Sequence, residues 1–113
     1  MEPKDEQFYD QLIGHLAAKG KVKEDAGQAV LVISEFASRP LPPLHLHVTP
    51  TILGDHMRAT ATAATGDYPD LHPMEAAWWL FIDHLEEAVQ GAATGETKLF
   101  LDDTRVVAQP PAA

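Results

Sequence analysis

Residues 73–90 constrain the fold more than any other part of this chain. Pro73 can open a helix, because the first helical residue needs no N–H partner, and Glu75 suits the positive end of the helix dipole. Asp70 and His72 stand just before it as capping candidates. At 100° per residue Met74, Ala77, Trp78, Phe81, Ile82, Leu85, Ala88 and Val89 fall on one wide apolar face. A face of that width has to be covered by a second layer of structure.

The rest of the chain supplies candidates for that layer. Residues 3–19 predict another helix: Pro3 fits its first position, and Phe8, Tyr9, Leu12, Ile13 and Leu16 form one stripe. Asp5 and Glu6 complement its start, Lys19 its end, and Gly20 is a stop. The run Ala29 to Ile33 suits a strand within 28–36, since Gly27 precedes it and β-branched residues dominate its centre. An Ala26, Val30, Ile33, Ala37 stripe would equally suit a helix.

Arg39 to Pro43 is proline-rich and must be extended or turned. Leu44, Leu46 and Val48 alternate with His45 and His47, and Pro50 closes the pattern, which reads as a short edge strand. Met57, Ala59, Ala61 and Ala63 alternate with Arg58, Thr60 and Thr62, the period of a further strand. Gly91 to Gly95 ends the long helix. Thr97–Leu101 and Arg105–Ala108 then form a hairpin through Asp102, Asp103 and Thr104.

The expected architecture is α+β: two helices packed on one face of a small, mainly antiparallel sheet of four to five strands, with a C-terminal β-hairpin. The 113 residues favour a single domain over 1–113, with a mobile tail from about 109. With 45% hydrophobic residues the chain has enough apolar material for a core.

Several chemistries are excluded or disfavoured by composition. There is no cysteine, hence no disulfide, thiolate nucleophile, thiolate-bound zinc or iron–sulfur cluster. Ser34 and Ser38 are the only serines, and neither stands in a G-x-S-x-G setting. The glycines form neither a Walker loop nor a dinucleotide fingerprint. Glu2, Asp5, Glu6 and Asp10 are wrong for a signal peptide, and the longest apolar runs are far below a membrane span, so the default location is cytoplasmic. A net charge of −9 repels phosphate backbones, which argues against direct nucleic-acid binding unless the few basic residues cluster in space. The acidic polar side of helix 73–90 likewise disfavours anionic membranes.

Two features are left over once the elements are placed. Trp79 shares a wheel sector with Asp83, Glu86 and Gln90, roughly opposite Phe81, so it is turned toward solvent unless another layer covers it. With Glu75, Asp83, Glu86 and Glu87 around it, Trp79 is an aromatic anchor inside an acidic rim. The matching partner is a protein with a basic-rimmed hydrophobic slot, or a second copy of this chain in a homodimer.

The second feature is histidine. His45, His47, His56 and His72 fall close together in sequence, and the H-x-H pair projects from one strand face about 7 Å apart. With His56 or His72 as a third ligand and Asp55, Asp67 or Asp70 as an oxygen donor, they would hold a divalent metal. A pocket beneath the 57–63 strand, lined by Met57, Ala59, Ala61, Trp78 and Phe81, is a third candidate. The leading expectation is a non-enzymatic protein-interaction or regulatory domain acting through the Trp79 face. The alternative is a small metal-dependent enzyme or metal-binding module built on His45 and His47.

Overall fold

A computed structural model of the chain describes residues 3–91, 97–102 and 105–109. The expected tail beyond 109 and the turn residues Asp103 and Thr104 lie outside the described residues. The element order is α1 (Pro3–Lys19), β1 (Gly20–Asp25), β2 (Val30–Phe36), β3 (Arg39–His47), α2 (Pro50–Asp67), α3 (Pro73–Gly91), β4 (Thr97–Leu101) and β5 (Val106–Gln109), with a 3₁₀ turn at Ala26–Gln28. The class is α+β, as the sequence predicts, with three helices rather than two.

The five strands lie in the order β1-β2-β3-β4-β5. Neighbours are antiparallel except β3 and β4, which run parallel and are joined through α2 and α3. That connection has to be long, because parallel neighbours cannot be linked by a tight turn. β2 and β3 are joined by a two-residue turn at Ala37 and Ser38, whose φ values of 52° and 65° are the signs a type I′ hairpin requires.

One face of the sheet carries Val22, Leu31, Ile33, Leu44, Leu46 and Leu99 into the core, where they meet all three helices. Leu12 and Leu16 arrive from α1, Leu53 and Met57 from α2, and Phe81, Ile82, Leu85 and Val89 from α3. Each fully buried leucine or phenylalanine contributes roughly 1.5–3 kcal/mol. α3 behaves as its periodicity demands, with Ala77, Trp78, Phe81, Ile82, Leu85 and Val89 buried and Met74 and Ala88 half-buried beside them.

Residues 57–63 are not a strand but the middle of α2. Alternation of alanine with threonine is compatible with either period, and alanine is the strongest helix former. The decisive signal lies upstream: Pro50 occupies the start of the helix, and the Thr49 hydroxyl caps it by accepting from the Ile52 N–H at 3.1 Å. The buried stripe is Leu53, Met57, Thr60 and Ala64, a helical spacing. There is no strand there to cover the expected pocket. Met57, Trp78 and Phe81 are core residues, while Ala59 is exposed and Ala61 half-buried on α2.

β3 is also not an edge strand; it is the centre of the sheet. β4 pairs with it only from Leu44 to His47, and Arg39 and Pro40 pair on the β2 side alone. The prolines therefore occupy the part of the strand that β4 does not reach, where a missing N–H interrupts no ladder. The edges are instead β5 and β1, and the sequence hides β1: Lys21, Lys23, Glu24 and Asp25 leave Val22 as its one apolar inward residue.

Two glycines are required by packing. A Cβ on Gly20 would lie 1.8 Å from the Glu35 carbonyl oxygen. On Gly54 it would lie 2.3 Å from an oxygen of Asp5. Asp5, only 2% exposed, takes both nitrogens of Arg58 at 3.0 and 3.4 Å, and Arg58 also holds Asp55 at 2.6 Å. This forked pair locks α1 to α2, and the two carboxylates hold the guanidinium pKa above its ordinary value.

Candidate functional site

The N-terminal halves of α1 and α3 line a groove of about 570 Å³. α1 contributes Lys4, Gln7, Phe8 and Gln11 at helical spacing, which places them on one side of that helix. α3 contributes Met74, Glu75, Trp78 and Trp79, with His72 just ahead of it. The floor is aromatic: Phe8 stacks on Trp78 with ring centroids 6.1 Å apart, and Trp78 in turn lies 6.1 Å from Phe81 of the core. The site is therefore anchored on side chains that are themselves fixed by packing.

Trp79 stands at the margin of this groove with 42% of its surface exposed. Trp78 and Trp79 are adjacent in sequence, so the 100° step sends one indole into the core and leaves the other outside. The amphipathic pattern makes that division legible in advance. Phe8, which its stripe assigned to the core, is half-buried and shared between core and groove.

The acidic residues around Trp79 occupy different surroundings. Glu75 is exposed and lines the groove opposite Lys4. Asp83 accepts a short hydrogen bond from the Tyr68 hydroxyl, and that bond, with loss of solvent, raises the tyrosine pKa above its usual value. Glu86 sits 3.4 Å from His15 on α1, so it ties the two helices together below the groove. Glu87 lies further round α3, beside a separate hollow of about 300 Å³ with Arg105 and Val106. Nothing in the sequence marks Lys4, Gln7, Gln11 and His72 as members of one site. Their polar character matched an ordinary solvated helix face, and only the fold brings them opposite α3.

The four histidines do not converge. His45 and His47 share the sheet face turned away from the helices. His56 is buried on α2 on the helical side, its ring edge-on to Phe81 and its Nδ1 donating to the Asp102 carbonyl. His72 caps α3, its Nδ1 accepting from the Met74 N–H at 3.2 Å. Among the described residues no three histidine or carboxylate side chains are grouped so as to hold a metal ion. The expected third ligand is thus lost because the sheet itself separates β3's outward face from α2, and the α3 cap lies elsewhere again. Asp55, expected as an oxygen donor, is instead engaged with Arg58.

No helix among the described residues is long and apolar enough to cross a membrane. Comparison of the chain with protein-family models, with curated proteins and with solved structures finds no match.

Proposed function

We propose that this chain is a protein-interaction domain whose recognition surface is the groove between α1 and α3 with Trp79 at its margin. The observation that carries the reading is the half-exposed Trp79 beside a groove floored by Phe8 and Trp78. Interfaces concentrate their energy in a few rigid aromatic anchors set in pre-formed, largely apolar recesses, and this arrangement offers both parts. A groove of this volume accommodates one or two large side chains of a partner segment. Gln7 and Gln11 offer amide donors and acceptors to that segment's backbone, and Glu75 favours a basic residue beside the apolar anchor. The same chemistry describes a partner surface that receives Trp79 in a basic-rimmed apolar slot. The role is regulatory or accessory: the domain holds a partner segment without altering it.

The test is selection of peptides from a random display library on the full chain, followed by titration monitored by tryptophan fluorescence. Selected peptides should share an aromatic or large aliphatic anchor flanked by lysine or arginine. Trp79→Ala should weaken them by about 2 kcal/mol or more. Peptides that bind the wild type and Trp79→Ala equally would refute the assignment.

A further inference from the structure

The sheet face opposite the helices is built from two in-register rows. One reads Asp25, Val30, His47, Phe100, Val107 across β1 to β5, and the next reads Lys23, Val32, His45, Lys98, Gln109. Val32, Phe100 and Val107 are apolar residues outside the main core cluster, and Val30, also outside it, is itself only 5% exposed. Phe100 is 37% exposed and stacks on His47 with ring centroids 4.5 Å apart. His47 Nε2 is buried and has no hydrogen-bond partner among the described residues. These residues form an apolar, aromatic strip from β2 to β5, bordered on β1 by Asp25 and Lys23, in which Phe100 is exposed, Val32, His47 and Val107 are half-buried and Val30 is buried.

Charge indicates what covers it. The three helices together hold nine acidic residues and three basic ones, a net of −6. The open sheet face carries Lys21, Lys23 and Lys98 against Asp25 and Glu35, a net of +1 with histidine neutral, and Lys21 is paired with Glu35 at 3.7 Å. Two copies of a chain with net charge −9 repel through their helical layers and approach with less repulsion through this side. We propose that the open sheet face is a self-association surface, on which a second copy packs sheet to sheet with the helices outermost. Five strands spaced ~4.8 Å apart and about five residues long make a face of roughly 20 by 17 Å. Two such faces packed ~10 Å apart bury roughly 700 Å² in total, below the ~1,200 Å² of a stable interface and in the range of a weak, transient one. The dimer is therefore reversible and concentration-dependent. It leaves the α1–α3 groove free on each copy, so the two proposals stand or fall separately.

Sedimentation equilibrium of the full chain, from micromolar to several hundred micromolar, tests it. The wild type should show a monomer–dimer equilibrium that added sodium chloride strengthens, since salt screens the repulsion between acidic copies. Phe100→Lys should weaken dimerisation at least about tenfold with an unchanged circular dichroism spectrum. Val107→Thr, which keeps strand propensity, should weaken it less, and Trp79→Ala should leave it unchanged. A wild type that stays monomeric throughout overturns the proposal, whatever else binds this face. So does a dimer that survives both sheet substitutions, one abolished by Trp79→Ala, or one that salt dissolves, which would place the acidic helices of one copy on the sheet of another.

Discussion

Gly54→Ala is a substitution that helix propensity alone would favour. In a helix interior, alanine in place of glycine stabilises by about 1 kcal/mol. At position 54 the added Cβ would sit 2.3–2.6 Å from the three carboxyl atoms of Asp5, so Asp5 has to move. Moving it breaks the fork with Arg58 and strands a carboxylate that is 2% exposed between α1 and α2. Breaking a buried ion pair costs about 3–5 kcal/mol, and the lower end applies because Arg58 is 40% exposed and keeps Asp55. The net expectation is a destabilisation of about 2 kcal/mol, a fall of roughly 1–2 M in the urea midpoint.

Gly14 in α1 and Gly66 in α2 are the internal controls, because a Cβ at either position meets nothing within 4 Å. Gly14→Ala and Gly66→Ala should each stabilise by up to about 1 kcal/mol. In an Asp5→Ala background Gly54→Ala should change sign and become stabilising, since the obstructing carboxylate is gone. Urea unfolding followed by circular dichroism measures all of these. If Gly54→Ala stabilises the wild type as much as Gly66→Ala does, the reading of Asp5 as a buried, immovable lock is wrong.

Two further expectations concern the sheet. Ala37 and Ser38 both adopt left-handed φ values without being glycine, a strain of about 1–2 kcal/mol per residue, so Ala37→Asn with Ser38→Gly should stabilise the fold by about 1 kcal/mol and raise Tm by roughly 4–6 °C in calorimetry. Burial, then the charges of Lys98 and His45, lowers the His47 pKa below its ordinary 6.5. The unfolded chain therefore takes up this proton first as pH falls: the contribution is intact above that value and is lost progressively below it. The drop in urea midpoint between pH 7.5 and pH 5.5 should be smaller in His47→Gln than in wild type, and an equal drop would show that His47 does not report its buried environment.

The helices were legible in the sequence to unequal degrees. α3 announces itself because eight apolar residues obey one period and Pro73 marks its start. α2 is masked because alanine and threonine satisfy both periods, and a proline such as Pro50 serves equally to close a strand or to open a helix. β1 was invisible since its charged residues face solvent at an edge, and only pairing with β2 defines it. The outward Trp79 followed directly from the helical wheel. Its groove did not, because Gln7 and Gln11 acquire meaning only once α1 is placed opposite α3. His45 and His47 share one face of β3, as an i, i+2 spacing requires. What lay beyond local sequence was which side of the sheet that face would meet, and hence that His56 belongs to the other side.

The placement of β3 has a consequence for the order in which the molecule assembles. α1 to β3 is closed by short connections, whereas β4 reaches β3 only across the whole of α2 and α3, with Leu44 facing Thr97. Closing so long a loop is costly until the helices have packed, so the expected order has the C-terminal hairpin joining last. Until it does, the central strand of the finished sheet is an unprotected border with a free ladder. Pro40 and Pro43 blunt the part of that border that β4 does not reach, leaving Leu44 to His47 as the stretch where a stray strand from another chain could take the place reserved for β4.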